Sequence, residues 1–175
     1  MPDLPPPRTP GAYRIALVCL GNICRSPIAA VVLTARVAEA GLDDRVAVVS
    51  SGTGDWHVGH PMDERASAIL TSEGYPADAV SAHRAQQVRA SWLTDCDLLL
   101  AMDRQNLRDL RALADGEVDG DRVRLFGDFD PETPGAEVPD PYYDDEDRFP
   151  LVLAMVERTA ATLVDTLRAE LRDSP

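Results

Sequence analysis

Nine consecutive residues, Cys19-Leu20-Gly21-Asn22-Ile23-Cys24-Arg25-Ser26-Pro27, bring together a thiol, a guanidinium and a helix-start signal. Arg25 offers a planar fork able to bind two oxygens of one oxyanion. Gly21 lets backbone approach a ligand closely, and Asn22 tolerates left-handed dihedrals. Ser is a favoured helix N-cap and Pro a favoured first helical residue, so Ser26-Pro27 signals a helix start. A helix N-terminus has unpaired N–H groups and about half a positive charge, which suits a dianion. A cysteine facing such donors is favoured as thiolate, the form that attacks. The chemistry these residues support is nucleophilic attack by Cys19 on a bound phosphoryl dianion. A Walker loop is excluded, because no Gly-Lys-Ser/Thr follows, and a dinucleotide fingerprint fails because the preceding apolar run ends in Cys rather than Gly. A lone Cys is more often a small core hydrophobe; the whole constellation points to a site.

The loop needs a strand before it and a helix after it. Residues 13–19 (YRIALVC) read as a buried strand. Downstream, Ile28, Val31, Val32 and Ala35 follow helical spacing, with Gly41 as the stop. The pattern then predicts a strand over 45–50, a glycine-bearing loop over 51–59 with Trp56 and His57, and a helix over 62–74. Next come a strand over 96–102, a helix over 103–113 with Asp103 as N-cap, and a strand over 122–126. An acidic, proline-rich stretch over 127–149 and a final amphipathic helix over 151–171 complete the pattern. Strands alternating with helices imply an α/β fold with a mostly parallel sheet covered on both faces. Ligands in such folds sit beyond the C-terminal ends of the strands. Residues 1–11, rich in proline, are expected to be a disordered leader, and residues 12–175 one domain.

The chain has 175 residues, 45 % hydrophobic, with a formal net charge of −13. That charge argues against nucleic acid and anionic membrane as partners. A local anion site still functions, because exposed charges are screened beyond roughly 8 Å. No run of ~18 apolar residues suggests a membrane span, and the N-terminus lacks the apolar core of a secretory signal. Cys19, Cys24 and Cys96 do not make a disulfide framework, which points to a reducing cytoplasm. Zinc is not expected, since a structural site wants four ligands and His57, His60 and His83 are unsuitably spaced.

The segment Cys19–Pro27 resembles the Cys-x5-Arg-Ser signature of the low-molecular-weight protein tyrosine phosphatase family. Asp140-Pro141-Tyr142-Tyr143 is similar to its second hallmark, and the likeness runs from about Tyr13 to the last helix. The resemblance implies a three-layer sandwich around a four-stranded parallel sheet, with the phosphate-binding loop between first strand and first helix. It implies phosphotyrosine hydrolysis through a phosphocysteine: Cys19 attacks, Arg25 and the loop Leu20, Gly21, Asn22, Ile23, Cys24 and Ser26 hold the oxygens, and Asp140 is general acid, then base. By the same resemblance Asn22, Ser26, Ser50 and His83 form a network supporting the loop. Ser26 also caps the helix and bonds the thiolate, and Trp56, Tyr142 and Tyr143 form an aromatic rim. Asp103 aligns with a family aspartate near the loop. Cys24 is implied as a disulfide partner for Cys19 under oxidation, whereas Cys96 is read as structural. No metal or cofactor is implied. The partner is a phosphotyrosine-containing protein, and weak homodimerisation is the one form of self-association to test.

The chain departs from the family pattern at Ala30, where Glu is usual, and at Gln86 and Gln87, with Arg84 displaced. These changes concern local ion pairs rather than chemistry. A thioredoxin-coupled arsenate reductase shares the fold, but it needs two further redox cysteines, and only Cys96 remains. Phosphoarginine phosphatases tend to carry Thr where Ile23 stands. A catalytically idle phosphoprotein-binding module would not need both Cys19 and Asp140. The acidic run 144–147, beside the expected rim, suggests substrates with basic flanks.

Overall fold

The computed structural model describes residues 2–143 and 148–173. Strand β1 (Tyr13–Cys19) is buried at every residue except Arg14, because helices cover both of its faces. Its side chains alternate between two cores. Tyr13, Ile15, Leu17 and Cys19 join the cluster under α1 (Arg25–Glu39) and α6 (Arg148–Asp173). Ala16 and Val18 join the smaller cluster under α5 (Arg104–Ala112). The remaining strands are β2 (Val46–Gly52), β3 (Leu98–Ala101) and β4 (Val123–Leu125), and the all-parallel order is β2-β1-β3-β4. The expected α/β sandwich with a four-stranded parallel sheet is therefore the observed one. The register sets Cys19 beside Gly52 and Val18 beside Ala101, so three strand ends converge where β1 gives way to the loop.

Helix α2 (Glu64–Ser72) is shorter than the 62–74 expected, because Asp63 caps it by accepting the Arg65 N–H. Two short helices, α3 (Ala77–Ala82) and α4 (Trp92–Asp95), lack the length that makes periodicity legible. The stretch after β4 begins with a 3₁₀ turn, Phe126–Phe129, buried at both phenylalanines. Among the described residues no helix is long and apolar enough to cross a membrane.

Residues 2–11 correct the expectation of a disordered leader. Leu4 and Pro5 are buried. Proline lacks an N–H but keeps its carbonyl, so this segment offers mainly acceptors, and the body of the protein supplies donors. Tyr13 Oη donates to Pro5 O, Arg122 to Pro6 O and Arg124 to Asp3 O. In return, the buried Asp97 carboxylate accepts the N–H groups of Arg8 and Arg14, each at 2.6 Å.

Candidate active site

The loop between β1 and α1 is held at its tightest point by Asn22, whose φ of 56° is the only left-handed value among described non-glycine residues. Asparagine tolerates this conformation, as its position in the sequence suggests. Its buried side chain then serves as a hub. Nδ2 donates to Ser26 Oγ at 2.8 Å and to Ser50 Oγ at 3.0 Å, while Oδ1 accepts the Gln86 N–H at 3.0 Å. The Asn22 carbonyl lies 2.7 Å from His83 Nε2. A carbonyl only accepts, so Nε2 carries the proton. Burial holds the His83 pKa below its ordinary value, partly opposed by this bond. Asn22, Ser26, Ser50 and His83 are thus joined in one hydrogen-bonded network.

Cys19 Sγ sits inside the loop, 3.3 Å from the Asn22 N–H and 3.0 Å from Ser26 Oγ. Ser26 was expected to cap α1, but the N-cap falls two residues earlier, at Cys24, with no side-chain cap. The Ser26 hydroxyl is instead engaged with Cys19, Asn22 and the Ser51 carbonyl. The uncapped terminus leaves its first N–H groups to an anion. Cys24 is a different kind of cysteine: burial, reinforced by Asp63, pushes its thiol far up, so it stays protonated.

The Arg25 guanidinium is 3 % exposed and has three partners. Nη1 donates to Asp103 Oδ2 at 2.6 Å and to the Val138 carbonyl at 3.1 Å, and Nη2 reaches Asp140 Oδ2 at 3.4 Å. Burial works against its charge, but Cys19, then Asp103 and Asp140, outweigh that and hold it protonated. Asp103 fills both roles read from the sequence, because its other oxygen accepts the Asn106 N–H and caps α5. Asp140 is fixed from both sides. Two residues before it, Val138 donates to the Met102 carbonyl beyond β3; after it, the Tyr142 N–H donates to Asp140 Oδ1 at 3.1 Å.

These groups open into one cavity of about 260 Å³, lined by Cys19, Leu20, Gly21, Ile23, Cys24, Arg25, Trp56, His57, Asp140, Tyr142 and Tyr143. The rim residues expected from the sequence are all there. Tyr142 and Tyr143 meet edge to face at 4.8 Å, and Arg65 braces Tyr142 by donating to its carbonyl at 2.9 Å. The polar floor and aromatic walls suit a phosphorylated phenyl ring. Cys96 lies apart, buried just before β3. The acidic run 144–147 lies outside the described residues.

Sequence reasoning missed three contributors. The Gln86 and Val138 contacts run through backbone atoms, which no residue type announces, although Gln86 Nε2 also donates to Ser50 O. His57, 5.9 Å from the Tyr142 ring, was detectable as the neighbour of Trp56 in the same loop.

Fold and site together define a cysteine-centred phosphate-binding α/β protein. A family profile described as "Low molecular weight phosphotyrosine protein phosphatase" matches residues 14–173. The low molecular weight protein-tyrosine-phosphatase of Streptomyces coelicolor is 44 % identical over 160 residues, covering 90 % of this chain and 95 % of that one. The low molecular weight protein-tyrosine phosphatase A of Mycobacterium tuberculosis is 44 % identical over 153 residues, 86 % of this chain and 89 % of that one. The crystal structure of a protein tyrosine phosphatase from Entamoeba histolytica superposes with a TM-score of 0.82 at 30 % identity, covering 90 % of this chain and 98 % of that one. The chain belongs to the low molecular weight phosphotyrosine protein phosphatase family and is a protein-tyrosine phosphatase.

Proposed function

We propose that the chain hydrolyses phosphotyrosine in proteins in two displacements at Cys19. The thiolate attacks phosphorus while Asp140, as the acid, gives its proton to the departing phenolate. Sulfur then carries the phosphoryl group. Asp140, now a carboxylate, takes a proton from water, the water oxygen attacks phosphorus, and the thiolate leaves. Arg25 and the loop N–H groups bind the equatorial oxygens throughout, since positioning and electrostatics dominate phosphoryl transfer.

One observation carries this assignment: Cys19, Arg25 and Asp140 line a single cavity, with Arg25 linked to Asp140 at 3.4 Å. Trp56, Tyr142 and Tyr143 support an aryl over an alkyl phosphate. A buried Cys96, remote from the loop, supports hydrolysis over thiol-coupled reduction. The reaction needs no metal or cofactor and belongs to a reducing cytoplasm, which three free cysteines support. A peroxide stops it by taking two electrons and two protons from the Cys19 and Cys24 thiols, which pair as a disulfide while the peroxide is reduced to water.

The test is steady-state hydrolysis of para-nitrophenyl phosphate in chelator, for wild type, Cys19→Ser and Asp140→Ala. Turnover lost in the first variant and reduced about 10²–10⁴-fold in the second is the expected result. An inactive wild type that still binds phosphate makes the protein a binding module.

A further inference from the structure

Trp56 forms a wall of the cavity, yet 67 % of its surface is exposed. An indole so little buried has few side chains to hold it. What lies beneath it is Gly54. A Cβ built on Gly54 would stand 2.0 Å from Trp56 Cζ3, 2.3 Å from Cε3 and 3.0 Å from Cη2. The six-membered ring therefore rests directly on the Gly54 backbone. Gly54 is not among the glycines with positive φ, so its dihedrals do not demand glycine; the ring does.

Gly54 is in turn tied to the phosphate loop. Its N–H donates to the Leu20 carbonyl at 2.9 Å, and the Thr53 N–H donates to the Cys19 carbonyl at 2.9 Å. The surface on which Trp56 lies is thus attached by consecutive backbone bonds to the nucleophile's own residue and the next one.

We infer that Gly54 is a positioning residue for substrate selection: it sets the height of the Trp56 wall above Cys19, and so the depth at which an aryl phosphate meets the thiolate. This rests on the phosphatase assignment above. Any side chain at position 54 lifts the ring, leaving the phosphate site intact while loosening the grip on the phenyl group.

The experiment compares Gly54→Ala, Trp56→Ala and the double variant with wild type on a phosphotyrosine peptide, with inorganic phosphate as competitive inhibitor. Gly54→Ala is expected to raise KM about two- to tenfold, the worth of one aromatic contact, with kcat and the phosphate inhibition constant unchanged. In the Trp56→Ala background the same change is expected to have no effect. Iodide quenching of tryptophan emission is expected to rise in Gly54→Ala, a readout independent of turnover. An equal KM penalty in both backgrounds, a weakened phosphate inhibition constant, or unchanged KM and quenching would each overturn the inference. A wild type without turnover overturns the phosphatase assignment instead, and the quenching comparison then still decides whether Gly54 seats the ring.

Discussion

Ser26 Oγ lies 3.0 Å from Cys19 Sγ and 3.3 Å from the Ser51 carbonyl, with one hydroxyl proton for two acceptors. Its lone pairs also accept from Asn22 Nδ2 at 2.8 Å, which fixes its orientation. When Cys19 is a thiol, S–H donates to Ser26 and Ser26 donates to Ser51. When Cys19 is a thiolate, the Ser26 proton turns to sulfur. The hydroxyl thus follows the charge on Cys19 and can donate to the sulfur as it departs from phosphorus.

Removing that donor should slow mainly the second displacement, in which sulfur leaves. A hydrogen bond to a charged group contributes about 1.5–3 kcal/mol, so Ser26→Ala is expected to lower kcat roughly 10- to 100-fold. Rapid-quench measurement should reveal a burst of para-nitrophenol followed by slow turnover. Loss of the burst itself, with turnover limited by the first displacement, would show instead that Ser26 acts mainly on attack.

Asp103 joins two functions in one carboxylate, and two substitutions separate them. Asp103→Asn can still cap α5 but loses the charge paired with Arg25; Asp103→Ala loses both. The Ala variant is expected to be less stable by about 0.5–2 kcal/mol, the worth of an N-cap, with the Asn variant near wild type. Both should bind inorganic phosphate more weakly, by roughly tenfold, because Arg25 loses its anchor. Calorimetry and phosphate inhibition read the two effects separately.

His83 makes stability depend on pH. Its folded pKa is lowered by burial, so the unfolded chain binds more protons wherever the two states differ. The folded state therefore loses nothing above the ordinary histidine value of about 6.5 and loses stability as pH falls below it. His83→Gln keeps an N–H for the Asn22 carbonyl but cannot titrate. The fall in Tm from pH 7.5 to 5.5 should be smaller in the variant; parallel profiles would remove His83 from the pH response.

The N-terminal segment contributes to stability without contributing to catalysis. Its contacts lie near the starts of β1 and β3, whereas the cavity lies past the strands' other ends. Deleting residues 1–11 exposes the Leu4 contact and removes one donor from Asp97. A loss of about 2 kcal/mol, or roughly 4–8 °C in Tm, is expected with kcat/KM unchanged. An unaltered melting curve would restore the view of a free leader.

Much of the architecture was legible in the order of residues. The apolar run into Cys19 and the helical spacing from Ile28 each come from short-range pattern, and the α/β alternation follows. The boundaries of α2 and the existence of α3 and α4 were not, because a single turn of helix carries too little periodicity. The proline-rich start misled for a related reason: composition reports that a segment cannot build its own core, not that another surface will supply its donors.

For the site, the sequence alone determined the phosphate loop. Nucleophile, left-handed turn, guanidinium and helix start lie within nine residues, and their relations are set by local backbone geometry. Only the tertiary structure decided which distant groups complete it. Asp103 reaches Arg25 across 78 positions, Asp140 across 115, and Gln86 reaches Asn22 across 64. The parallel sheet brings the ends of β1, β2 and β3 to one edge, and the contacts made there depend on where backbone N–H and C=O groups point once packing is complete. Every residue carries those groups, so residue identity does not disclose their partners.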